Sequence, residues 1–244
     1  MPIYSYLQKR GDKMEHEAFS WGSLLPFLKN QPHVTNGIIV SLILLVIVIL
    51  GYRQVKRTED EVVPEPKFTL RNFVEMIVES LSNIIIDTMG PRGREFVLLV
   101  GTLALFILFN NLSGLVPGFL PATDNVNTTF ACALTVFVMT HYYGFKEHGI
   151  KYLKHFMGPY WWLAPLMIPI EIIGHLARPL SLGLRLFGNI TGDHLVTAIF
   201  FGLVPLFVPL VVMFLGLFVA FVQTFVFMLL SMAYFSGAIA HEEY

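Results

Sequence analysis

Charge is what this 244-residue chain has least of: 14% of its residues are Asp, Glu, Lys or Arg, against roughly 25% in an ordinary soluble domain. That scarcity excludes the usual soluble fold, and a hydrophobic share of 55% points instead to several spans in one membrane domain. The 16 basic residues nearly balance the 17 acidic ones. With no basic tract and no recognition motif, nucleic acid is not an expected partner. A single cysteine, Cys132, excludes a disulfide framework, and its apolar surroundings mark it as a packing residue. No cleavable signal peptide is evident: the first apolar run starts near Ile38 and ends in GYRQVKR, not in a small-residue cleavage site. Either Met1 or Met14 can serve as the start. Repeats and low-complexity tracts are absent, and from Leu195 to Ala240 there is no Asp, Glu, Lys or Arg.

What is present reads as an all-α integral membrane protein with five spans, each needing about 20 apolar residues. They are expected at residues 36–52, 96–115, 127–145, 161–203 and 205–240, with the last two forming a long, tilted pair. Residues 36–244 are then a single membrane domain and residues 1–35 an external segment. Between the first two spans, residues 68–90 place Arg71, Glu75, Glu79, Asn83 and Asp87 at every fourth position. Phe73, Ile77, Leu81, Ile84 and Ile85 take the other face, so this is an amphipathic surface helix and not a span.

Orientation follows from the basic residues. Arg53 to Arg94 carries seven, and KEHGIKYLKH carries three lysines, whereas PGFLPATDNVN and FGLVPLFVP carry none. The basic loops are expected in the cytoplasm, with the amino terminus outside and the HEEY tail inside. His141, Tyr142 and Tyr143 close the third span as an expected interfacial aromatic belt. Three N-x-S/T matches lie in or beside spans and are treated as chance.

The unusual feature is RPLSLGLRLFGNITGDHL, residues 178–195, which sets charges inside an apolar helix. At about 100° per residue, Glu171, His175, Arg178, Arg185, Asn189 and Asp193 fall in an arc of roughly 80°, with His194 on a second face. Glu171 to Asp193 covers roughly 33 Å of rise, the depth of the hydrocarbon core. Simpler readings stand beside a functional row: Arg178 snorkelling to headgroups, His175 as a packing histidine, Glu171 and Asp193 as interfacial charges. Arg185 is too deep for either interface, and such residues are costly enough to imply a function or a structural ion pair.

A guanidinium does not deprotonate in a protein, so Arg185 is a fixed positive charge and not a proton carrier. It holds a nearby carboxylate ionised and bars cations from its own position. Proton-handling groups flank it, Glu171 and His175 toward the cytoplasm, Asn189, Asp193 and His194 toward the outside. Two half-channels separated by a positive barrier fit this layout better than one open pore.

The run SLGLRLFGN, Ser181 to Asn189, resembles the signature of subunit a of F-type ATP synthases, and VQTFVFMLLSMAYFS, residues 222–236, resembles that family's last helix. PIEIIG around Glu171, NNLSGLVPG after span two and DNVNTT at the start of span three add to the likeness. The resemblance implies a non-catalytic membrane stator in a bacterial inner membrane, with organellar membranes less expected. It implies as partners the c-subunit ring, peripheral-stalk b subunits, other ATP synthase subunits and the lipid bilayer. It places Arg185 opposite the ring carboxylate and Glu171, Ser181, Asn189, His194 and Gln223 along the proton path, with no cofactor or metal.

The chain departs from some members of that family, which carry a carboxylate at the His194 position and a histidine seven residues before Gln223. Here the second place is Gly216, and an extra acid, Asp193, precedes His194. Together Asp193 and His194 are expected to supply the outer relay, in either order, and the part played by Asp124 stays open. Ser181, Gly188 and Gly192 share a small face beside the stripe, suited to packing within the chain or to a partner ring. Two other functions fit less well: a metal-dependent hydrolase using His141, His175, Asp193 and His194, which lack ligand spacing, and a secondary transporter, which lacks the repeats. The coupling ion, proton or sodium, is not legible because its carboxylate would sit on the partner.

Overall fold

The computed structural model describes residues 32–57, 70–116, 119–152, 164–203 and 208–240, and all regular structure among them is helical. The helices are α1 (Pro32–Arg57), α2 (Leu70–Met89), α3 (Val97–Ser113), α4 (Val126–His148), α5 (Ala164–Leu203) and α6 (Val208–Ile239). Short 3-10 turns at Pro91–Glu95, Ala122–Asp124 and Gly149–Lys151 link or extend them. The N-terminal segment up to residue 31, residues 161–163 at the start of the expected fourth span, and the HEEY tail lie outside the described residues.

Three helices are long and apolar enough to cross a membrane among the described residues: His33–Arg53, Pro165–Leu203 and Leu210–Ile239. Val97–Ser113 is apolar but shorter, about 26 Å at 1.5 Å per residue. The 23-residue α4 ends in Lys146 and His148, and the positive charge of Lys146 suits a helix C-terminus. The long pair is unmistakable. At 40 and 32 residues, α5 and α6 extend about 60 Å and 48 Å, more than an upright crossing needs. Helix α5 stays continuous through Pro169 and Pro179.

Helix α2 is amphipathic as expected, with two differences at its first turns. Arg71, on the polar face of the sequence pattern, is buried and donates from Nε to Glu75 Oε1 at 2.7 Å, whereas Phe73 of the apolar face is exposed. The apolar contacts come lower, at Leu81, Ile84 and the fully buried Ile85. Gly90, at φ 72°, makes the left-handed turn into the 3-10 segment, a conformation that a Cβ disfavours.

One core joins α2 to α6. Phe96, Val100, Ala104 and Ile107 line one side of α3 and its lead-in; Cys132, Ala133 and Val136 of α4 join the same cluster, with α6 packed against both helices. Leu182, Leu186 and Ile190, each four apart, turn one face of α5 into the same cluster, against Phe227, Met228, Met232 and Phe235 of α6. Helix α5 therefore packs on α4 and α6 by one side. The other side, with Ile173, Leu176, Leu180, Leu184 and Leu195, remains uncovered.

Candidate functional site

The polar row of α5 runs along the edge between its buried and uncovered sides, so its members meet different surroundings. Toward the α4 C-terminal end, His175 is buried, with Nδ1 3.0 Å from the Glu171 carbonyl oxygen and 3.2 Å from Glu171 Oε1. The Arg178 guanidinium lies 5.7 Å from the Tyr234 ring centroid. Arg178, His175, His141, Thr140 and Tyr234 together line one recess between α4, α5 and α6. The His141 ring, expected in an interfacial belt, lies tilted at 49° to Phe137 with centroids 4.3 Å apart and meets the His175 ring edge-on at 5.3 Å.

Midway along, the row turns outward. Arg185 is exposed, donates weakly to Ser181 Oγ at 3.5 Å, and takes part in none of the ion pairs among the described residues. Beside it, a Cβ added at Gly188 or Gly192 would meet nothing within 4 Å. These two glycines are thus not used for close packing among the described residues. One turn further, Asn189 Nδ2 donates to Gln223 Oε1 at 2.5 Å, tying α5 to α6.

Beyond Asn189 the two neighbouring residues diverge. Asp193 leans toward α6, where a Cβ at Gly216 would stand 2.5 Å from Asp193 Oδ2. His194 leans toward the α3–α4 connection, donating from Nδ1 to Asp124 Oδ2 at 3.3 Å, while its Nε2 lies against Gly114. Thr191 Oγ1 donates to the other oxygen of Asp124 at 2.6 Å. Burial would raise the Asp124 carboxyl, but the hydrogen bonds from His194 and Thr191 outweigh it and hold the group below its usual range.

The connection carrying Asp124 is itself fixed. Thr123 Oγ1 donates to Asn111 Oδ1 at 2.8 Å, Asn36 Nδ2 of α1 donates to the Leu120 carbonyl at 2.6 Å, and Asn125 caps α4 through the Asn127 amide. Asp124 is therefore the residue that sequence reasoning left open. Its signal was available: an acid directly before an Asn cap, in a loop otherwise without charge. Among the described residues no three His, Cys, Asp or Glu side chains are placed to hold a metal ion, so His141, His175, Asp193 and His194 do not form one ligand set.

Comparison with known proteins bears on most of the chain. The family model described as ATP synthase A chain matches residues 36–236. ATP synthase subunit a 1 of Syntrophotalea carbinolica is 52% identical over 226 residues, covering 91% of this chain and 93% of that protein. ATP synthase subunit a of Trichlorobacter lovleyi is 54% identical over 200 residues, 82% of this chain and 84% of its own. That of Geobacter sulfurreducens is 52% identical over 170 residues, covering 70% and 74%. With the match running from the first apolar helix through the one that carries Gln223, this chain belongs to the ATP synthase subunit a family.

Proposed function

We propose that this chain provides two offset half-channels on either side of Arg185 and couples proton flow to rotation of a ring of carboxylate-bearing subunits. As a member of its family it is a non-catalytic, multi-pass membrane subunit of the Fo sector of ATP synthase, and the other subunits of that complex are its partners. The observation that carries the finer reading is the setting of Arg185: a permanent charge on the uncovered side of an apolar helix, without a carboxylate partner among the described residues. An arginine so placed in lipid is costly, so its counter-charge comes from another chain.

In this reading Glu171 and His175 serve the inner half-channel, and Asn189, Asp193, His194 and Gln223 the outer one, with Ser181 beside the arginine. A ring carboxylate reaching Arg185 is held ionised, so it gives its proton to one half-channel before passing and takes one from the other after it. The uncovered glycines let the partner helix approach closely. Five spans in a bacterial inner membrane, the amino terminus outside, one membrane domain over residues 36–244 and b subunits at the periphery complete the proposal. Sodium in place of the proton is the alternative coupling ion. The test is ATP synthesis and proton flux in vesicles holding the assembled complex: Arg185→Ala should abolish coupled synthesis, and normal synthesis in that variant refutes the mechanism.

A further inference from the structure

The stator reading does not account for the meeting of His141 with His175, although any role for the pair in proton transfer rests on that reading. The two rings come from different helices, α4 and α5, with centroids 5.3 Å apart and planes at 73°. Each ring is anchored in the same way. His141 Nδ1 lies 2.9 Å from the Phe137 carbonyl oxygen, and His175 Nδ1 lies 3.0 Å from that of Glu171, each four residues back. A carbonyl oxygen only accepts, so in both neutral rings Nδ1 carries the proton and Nε2 has the lone pair. The exchangeable nitrogen is therefore the same one in both rings.

We infer that His141 is a proton-handling residue of the inner half-channel, acting with His175 across the α4–α5 contact as one site that holds a single proton. A proton arriving from the cytoplasmic side binds Nε2 of one ring and leaves from the pair toward the ring carboxylate, so the histidines end as they began. The charges around them favour one proton and oppose two. Glu171 Oε1, 3.2 Å from His175 Nδ1, stabilises the first positive charge. The second ring and Arg178, which lines the same recess, repel another. Tyr152 stands edge-on to His141 at 6.0 Å, and Tyr234 lines the recess from α6. The recess holds a cavity of about 10 Å³, near the minimum for a single water that could bridge the rings.

The test uses the assembled complex in inverted vesicles, measuring ATP-driven pumping and passive proton flux against the pH of the cytoplasmic face. His141→Asn keeps an amide near the Nδ1 position, able to donate to the Phe137 carbonyl, but cannot carry a proton. It should lower flux by about tenfold, less than a positioned acid–base group usually contributes because water partly stands in. The wild-type step in flux with the pH of the cytoplasmic face should flatten with it. The His141→Asn, His175→Asn double variant should be no slower than the slower single variant, as for two halves of one site. Unchanged flux, an unchanged pH step, or effects that multiply would overturn the inference. So would failure of both His141→Asn and His141→Gln to assemble, since His141 would then be structural. Arg185→Ala in the same vesicles separates the two levels. Lost coupling there with normal flux in His141→Asn refutes only the histidine pair, whereas normal coupling there refutes the stator reading beneath it.

Discussion

The carboxylate of Asp193 occupies the space beside Gly216 where a side chain would begin, 2.5 Å from the position a Cβ would take. An acid on α5 and a missing side chain on α6 are thus one arrangement. Gly216→Val should force Asp193 into another rotamer at a cost on the order of 1 kcal/mol. The expected result is assembled complex whose ATP-driven pumping falls by about tenfold, with Gly216→Ala intermediate. Wild-type pumping by Gly216→Val would remove Asp193 from the outer path.

Much of this fold was legible because apolar periodicity and scarce charge are local signals. The helix expected at 68–90 corresponds to α2, and α5 lies within the span expected at 161–203. The row on α5 was also legible, since helical geometry alone sets Glu171 one turn from His175. What the sequence could not give was which helix faces which. Nothing local says that His194 turns toward Asp124, 70 residues away, while its neighbour Asp193 turns toward Gly216. For the same reason the pattern around His141 matches an interfacial aromatic, and only the packing of α4 against α5 brings it to His175. The place of Arg185 in an apolar helix was readable, but its uncovered setting depended on which flank of the row, that of Leu182 and Leu186, packs into the core.

Asn189 and Gln223 can be tested as a pair. Their hydrogen bond joins α5 to α6 across 34 residues, and a neutral bond of this kind contributes about 0.5–1.5 kcal/mol. Asn189→Ala and Gln223→Ala should therefore be non-additive by about that amount in a double-mutant cycle on proton-flux rates. Strict additivity would mean that the two amides act separately.

Asp124 gives a pH dependence of definite sign. Its carboxyl is held below the usual carboxylate range in the folded chain, so its contribution is fully present above the ordinary value of about 4 and is lost as pH falls through the depressed one. Asp124→Asn should lower the thermal stability of the purified complex at pH 7, by about 1–3 kcal/mol for two lost charge-assisted bonds. The difference from wild type should shrink as pH falls well below 4. A difference that grows in acid would contradict the assignment.

The five-span arrangement predicts labelling. Cys132 is buried, so Cys132→Ala gives a cysteine-free background in which Asn127→Cys and Lys151→Cys report opposite ends of α4, both at exposed positions. An impermeant thiol reagent should reach Lys151→Cys only from the cytoplasmic side and Asn127→Cys only from outside. Labelling of both from one side would place α4 along the membrane rather than across it.

Arg185→Lys distinguishes the chemistry of the central charge from its mere presence. A lysine keeps a positive charge at neutral pH in water, so a mechanism needing only charge would tolerate it. In an apolar setting, however, an ammonium loses its proton far more readily than a guanidinium, and it lacks the planar fork that grips both carboxylate oxygens. The ring carboxylate would then meet a group that can accept its proton and pass it on, and the separation between half-channels would fail. Arg185→Lys should therefore show strongly reduced ATP synthesis, and Arg185→Ala the same loss together with passive proton leak. Near-normal synthesis in Arg185→Lys would mean that a point charge suffices, and that the permanence of the guanidinium charge is not what blocks direct transfer.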